Sequence, residues 1–242
     1  ILDLGGVGLR AADRGQEEPI VLGGGPAVSN PAPFGPFLDA VFIGEFEEAG
    51  DELIPRLRDL KTQGASRGEL LEHLRSLPFV WYAGRQDLAR RDVKADVVQD
   101  RARRVHWRGF GTDAAHQSAG ASFPVPNIQA VQDHGVVEIM RGCPNGCRFC
   151  HAGILYRPFR QKSPAQVMRE VDEQVFGFGY REVTLSSLSS GDYPGLSELV
   201  RALNRRFAPH HVSFSLPSLR VSSLALDLLS EPVGQDIEPG KL

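Results

Sequence analysis

The sequence predicts an α/β protein in two parts, and three observations carry that prediction. Short apolar runs enter glycine turns: Pro19-Ile20-Val21-Leu22 before Gly23-Gly24-Gly25-Pro26, and Ala40-Val41-Phe42-Ile43 before Gly44. Helix-start signals stand between or after such runs. From Val136 onward, apolar runs alternate with amphipathic stretches in a βαβαβα order, which implies parallel strands with helical crossovers. The predicted architecture is a partial doubly wound (Rossmann-type) unit over 1–76, a connector over 77–135, and the N-terminal half of a parallel (βα) barrel over 136–242.

In the first part, the two apolar runs read as buried strands. The acidic stretch from Glu45 to Glu52 favours the start of a helix, because carboxylates stabilise the positive end of the helix dipole. Leu53, Leu57 and Leu60 continue it as an apolar stripe. Ser66-Arg67-Gly68-Glu69 fits a capping box and opens a second helix through Arg75. In the connector, Phe79-Val80-Trp81-Tyr82 is a candidate strand. Arg101 to Arg108 is basic with Trp107 interleaved, and Ala119 to Pro126 has the composition of a loop.

In the second part, Val136-Val137-Glu138-Ile139-Met140 reads as a strand. Ser163-Pro164-Ala165-Gln166 is a helix start with Ser at the N-cap, Pro at the first helical position and Gln three residues after the cap. Val167, Val171, Val175 and Phe178 form its apolar face, and Gly177 and Gly179 end it. Glu182-Val183-Thr184-Leu185 is the next strand. Leu196, Leu199, Val200, Leu203 and Phe207 give the next helix, ended by Pro209. Val212-Ser213-Phe214-Ser215-Leu216 is a third strand, and Ser222 to Leu229 a further helix.

The chemistry concentrates on one loop. All three cysteines of the chain, Cys143, Cys147 and Cys150, follow the strand at Val136 with C-x3-C-x2-C spacing. Three thiolates are one short of a closed tetrahedral zinc site and one short of the usual four-cysteine set of a [4Fe–4S] cluster. Three alternatives compete. Cys147-Arg148-Phe149-Cys150-His151 matches a c-type haem attachment pattern but leaves Cys143 unused. Zinc with His151 has the right count, yet a histidine adjacent to a cysteine ligand points awkwardly for the same tetrahedron. A disulfide leaves one odd thiol. The cluster reading is favoured, with zinc still open.

Bulk properties exclude little. Apolar residues make up 41% and charged residues 24%, ordinary for a globular chain able to bury a core, and the net charge is -3. No apolar run is long enough for a membrane span. Sparse cysteine predicts a reducing compartment, hence a cytoplasmic protein. Residues 1–60 hold eleven Asp/Glu against four Arg, whereas residues 141–162 hold Arg141, Arg148, Arg157, Arg160 and Lys162 with no acid. That basic loop is either a solvated face or a field that balances thiolates and an anionic ligand. It allows a nucleic-acid partner without indicating one.

The cysteine run, with Phe149 directly before the third cysteine, resembles the radical S-adenosylmethionine (radical SAM) enzymes, whose signature is C-x3-C-x-aromatic-C. Arg141-Gly142-Cys143, Ala152-Gly153, Tyr156-Arg157-Pro158, Ser189-Ser190-Gly191-Asp192-Tyr193 and Leu216-Pro217-Ser218-Leu219-Arg220-Val221 narrow the resemblance to B12-binding radical SAM proteins. The resemblance implies that Cys143, Cys147 and Cys150 hold a [4Fe–4S] cluster and that the open iron binds SAM. It implies that an electron then cleaves SAM to a 5′-deoxyadenosyl radical. It further implies that Phe149 contacts the adenine and that Ser187 and Ser189 contact SAM.

Over 1–76 the glycine turn at Gly23, Gly24 and Gly25, with Asp39 to Glu45, resembles the C-terminal half of a cobalamin-binding domain. Small residues there would let backbone approach the cofactor's nucleotide tail. The D-x-H-x-x-G motif of histidine-ligated cobalamin proteins is absent. Residues 1–142 carry no cysteine, unlike the tRNA methylthiotransferases that also join an α/β domain to a radical SAM core. The expected function is thus SAM cleavage, with cobalamin-dependent radical methyl transfer as its finer form. Its expected partners are an unknown substrate and a reductant such as flavodoxin or ferredoxin. The rival expectation is a metal- or cluster-stabilised RNA-binding module. The start at Ile1, and only about three βα units after the cysteines, read as a piece of a longer protein.

Overall fold

A computed structural model describes residues 1–84, 110, 128 and 133–219. It divides into two compact units, Ile1–Gly109 and Phe110–Leu242. The basic stretch at 101–108, the loop at 119–126 and the helix expected at 222–229 lie outside the described residues.

The first unit is built on strands β1 (Leu22–Gly23), β2 (Ala40–Phe42) and β3 (Val80–Trp81), in the order β1-β2-β3. β1 pairs with β2 in parallel, as expected, with Leu22 opposite Ala40. Two 3₁₀ turns, Pro26–Val28 and Ala32–Phe34, occupy the crossover instead of a helix. β3 runs antiparallel to β2, with Phe42 opposite Val80. The uniformly parallel, doubly wound pattern therefore does not extend to this strand. The reason is local. β3 follows helix α2 (Arg67–Ser76) after three residues, which lets it return along the edge of β2 without a second crossover.

Helix α1 (Glu47–Thr62) and α2 follow the expected pattern. The capping box is present: Glu69 N donates to Ser66 Oγ at 3.3 Å, and Ser66 N donates to Glu69 Oε2 at 2.7 Å. Leu53, Leu71 and Leu74 form a buried cluster joined by half-buried Leu57 and Leu77. Ala40, Phe42, Ala49 and Val80 form another.

One feature of this unit escaped the sequence pattern. Arg14 and Asp39 are both buried, and they form an ion pair at 2.8 Å. Arg67 pairs with the other carboxylate oxygen at 2.6 Å. Val21 N donates to Asp39 Oδ2 at 2.8 Å, and Arg14 also donates to the carbonyls of Gly8 and Phe37 at 2.8 and 2.7 Å. Glu18 accepts from Gly8 N and Gly15 N, which holds its carboxyl below the usual value. The N-terminal loop is thereby anchored by charge-assisted hydrogen bonds to the residues that lead into β2 and to α2.

The second unit holds a three-stranded parallel sheet, β4 (Gly135–Glu138), β7 (Glu182–Ser186) and β8 (Ser213–Ser215), in the order β4-β7-β8. Strand order equals chain order, as at the start of a parallel barrel. Helix α4 (Pro164–Asp172) and a following π-helical turn, Glu173–Gly177, cross from β4 to β7. Helix α5 (Leu196–Phe207) crosses from β7 to β8.

Val167, Val171 and Val175 from the first crossover, and Leu196, Leu199, Leu203 and Phe207 from the second, pack with Val137, Val183 and Leu185 in one core. The α4 capping box is present: Gln166 N donates to Ser163 Oγ at 3.3 Å, and Ser163 N donates to Gln166 Oε1 at 2.9 Å. The strand expected at Val136 to Met140 breaks at Ile139. Met140–Arg141 leaves the sheet as β5 and pairs antiparallel with β6 (Arg160–Gln161). Between them lie the cysteine loop and the short helix α3 (Ala152–Leu155). Among the described residues no helix is long and apolar enough to cross a membrane.

Candidate iron–sulfur and SAM site

In a parallel sheet the loops that leave the strand C-termini share one edge, which is where ligands bind in such folds. Three segments do so here: the cysteine loop after β4, the run Ser187 to Tyr193 after β7, and Leu216 to Leu219 after β8. They are stitched in order. Asn145 Nδ2 donates to Asp192 Oδ2 at 2.5 Å, joining the first to the second. Ser190 Oγ donates to the Pro217 carbonyl at 2.6 Å, joining the second to the third. Tyr193, buried at 1% exposure, adds a hydroxyl bond of 2.8 Å to the Lys162 carbonyl, and burial raises its pKa.

The cysteine loop is shaped by its ends. The β5–β6 pairing clamps it with Arg141 opposite Arg160. Gly142 then turns with φ +84°, and a Cβ there would stand 2.5 Å from the Tyr156 carbonyl oxygen. Only glycine meets both demands. Gly142→Ala is therefore expected to displace the loop and cut iron incorporation at least about fivefold, taking ~1–3 kcal/mol of backbone strain as the driving term. Iron content after anaerobic reconstitution checks this, and wild-type loading would contradict it.

All three cysteines are free thiols: Cys147 is exposed, and Cys143 and Cys150 are half-buried. Gly153 N donates to Cys150 Sγ at 3.4 Å, and Asn145 Nδ2 to Cys143 Sγ at 3.5 Å. N–H donors to sulfur are among the contacts that tune iron–sulfur clusters. Among the described residues, no three His, Cys, Asp or Glu side chains converge on a single-ion site. In a cluster each thiolate bonds a different iron, and three free cysteines on one loop fit that donor set.

The basic loop is largely partnered. Arg141 pairs with Glu138 at 2.6 Å, and Lys162 with Glu170 at 2.6 Å. Arg141, Arg160 and Lys162 also lie 4.6–5.8 Å from the Phe110 ring centroid. These contacts favour a structural role for much of that charge.

The other expected residues separate. Phe149 is 92% exposed and contributes nothing to the core. Ser189 is buried, and its hydroxyl donates to Asp192 Oδ2 at 2.6 Å. It supports the loop from within. Ser187 is half-buried and shares a 2.8 Å hydrogen bond with Ser190. In the first unit, Gly23 is a packing glycine, because a Cβ there would stand 2.5 Å from Leu38 Cδ1. Gly24 and Gly25 have open space instead, and Gly25 has φ +92°. Asn145, Asp192 and Pro217 stand within the sequence motifs, but no sequence spacing signals the bonds that join them.

The family model described as "Radical SAM superfamily" matches residues 137–233, which takes in the sheet and the cysteine loop. The chain carries a radical SAM domain. A second family model, "Radical SAM proteins, N-terminal", matches residues 1–82. The radical SAM family implies a [4Fe–4S] cluster and SAM. An uncharacterized protein of Methanocaldococcus jannaschii is 27% identical over 211 residues, which are 87% of this chain and 40% of the relative. The chain thus spans 40% of that relative's length. No solved structure matches.

Proposed function

We propose that this chain binds a [4Fe–4S] cluster through Cys143, Cys147 and Cys150 and uses it to cleave SAM reductively. The observation that carries this reading is the placement of all three thiols on one clamped loop at the C-terminal edge of the radical SAM sheet. When bound, the cluster supplies one electron to the SAM sulfonium. The chain's own residues do the rest. The β5–β6 clamp and Gly142 fix the loop. Phe149, exposed beside the third cysteine, offers an aromatic face for adenine. Ser187 and its neighbours form the adjoining loop, stitched to the first by Asn145 and Asp192.

The finer proposal is radical methyl transfer with cobalamin held by the first unit. The open backbone at Gly24 and Gly25 supports it, together with the resemblance of Asp39 to Glu45 to cobalamin domains. In the fold, Asp39 answers the buried Arg14 and the half-buried Arg67. The substrate is not specified by these features, and a flavodoxin or ferredoxin is proposed as the reductant.

The test is anaerobic reconstitution followed by incubation with SAM and reductant. About four irons and four sulfides per chain, with 5′-deoxyadenosine formed, are expected. One zinc without sulfide would overturn the reading in favour of a zinc-stabilised binding module. Corrinoid retained by the chain after gel filtration would support the finer proposal, and its absence at saturating cobalamin would remove it.

A further inference from the structure

We infer that Asn145 and Asp192 form a positioning pair that sets the electronic state of the cluster from the second loop. The amide of Asn145 is shared between two acceptors, Asp192 Oδ2 at 2.5 Å and Cys143 Sγ at 3.5 Å. Asp192 is itself braced. Ser189 Oγ, on a buried side chain, donates to the same carboxylate oxygen at 2.6 Å. That oxygen accepts both bonds, so the carboxylate orients the Asn145 side chain with its Nδ2 toward the sulfur. Asp192 is in turn held by the 3₁₀ turn Ser190–Asp192, and that turn is tied to the third loop through Ser190 and the Pro217 carbonyl. The sulfur of Cys143 therefore senses the whole loop edge through one amide.

The chemistry follows from general rules. An N–H donor to a ligating sulfur draws electron density from it, stabilises the reduced cluster and raises the reduction potential. A side-chain amide held by a carboxylate is pre-organised to donate. Without the carboxylate the same amide rotates toward water. Asp192 thus acts on the cluster through Asn145 and needs no contact with it. This inference rests on the proposed cluster ligation.

The experiment is a redox titration of the reconstituted full chain, followed by the electron paramagnetic resonance of the reduced cluster. Variants are Asn145→Ala, Asp192→Ala, Asp192→Asn and the double Asn145→Ala/Asp192→Ala. Asn145→Ala and Asp192→Ala should each shift the midpoint to more negative potential. The double variant should match Asn145→Ala alone, because the two residues act in series. Asp192→Asn keeps a side-chain oxygen acceptor and should restore most of the wild-type value.

An unchanged potential in Asn145→Ala would overturn the inference, as would additive shifts in the double variant. A structural role alone would lower cluster yield in every variant without shifting the potential, and that outcome also overturns it. Failure of the wild-type chain to assemble iron and sulfide would instead sink the cluster reading beneath it. The two failures are therefore told apart by the wild-type metal count.

Discussion

Cys147→Ala is expected to give a folded chain with no four-iron cluster. Cys147 is exposed, so truncation removes no buried contact. Its carbonyl still accepts from Cys150 N at 3.1 Å, a backbone bond that alanine keeps. The loop should therefore hold its shape while losing one thiolate of three. Two thiolates leave two irons of the cube without a protein ligand, which is too few to retain it. Iron should fall from about four per chain to near none after desalting, and the broad visible absorbance should disappear. Circular dichroism should stay at the wild-type level. A variant that kept a full cluster and SAM cleavage would show that Cys147 is not a ligand.

The largest effect on stability is expected in the first unit, at Asp39. Its side chain is 3% exposed and answers Arg14, which is 0% exposed, and Arg67. Asp39→Asn removes the charge but not the volume, and leaves a buried guanidinium uncompensated. Breaking one side of such a pair costs about 3–5 kcal/mol. Trp81 lies in β3 of this unit, so its fluorescence during urea unfolding reports on it. A loss under ~1 kcal/mol would show that the network is not needed.

Burial pushes the Asp39 carboxyl up, but hydrogen bonds from Val21 N–H, Arg67 and Arg14 outweigh it. The group is held below its ordinary value of 3.8. A depressed carboxylate contributes stability that is fully present above the unfolded value and is lost as pH falls through the folded one. The wild-type unit should therefore lose stability below about pH 4, and Asp39→Asn should lose less over the same interval.

What the sequence made legible was local. The three cysteines were legible because they fall within eight residues of one loop. The capping boxes at Ser66 and Ser163 are four-residue devices whose partners are fixed by helix geometry, and both form. The β4-β7-β8 sheet follows from apolar runs separated by amphipathic helices.

What stayed hidden was either too short or too distant. β5 and β6 are two-residue strands, and a periodicity of two cannot register in two residues; β3 was legible as a strand within Phe79 to Tyr82, but its antiparallel pairing was not. Arg14 and Asp39 are 25 positions apart, and Asn145 and Asp192 are 47 apart. Nothing along the chain joins them until the fold does. At Gly23 the neighbourhood likewise appears only in the fold: a Cβ there would stand 2.5 Å from Leu38 Cδ1.

Electron paramagnetic resonance of the reduced, reconstituted chain, recorded with and without SAM, tests most directly whether an open iron is present. Three sulfur ligands on a four-iron cube leave one iron to take SAM, so the signal should change in shape when SAM is added. A signal identical in both samples, from a chain with its full complement of iron and sulfide, would contradict the account.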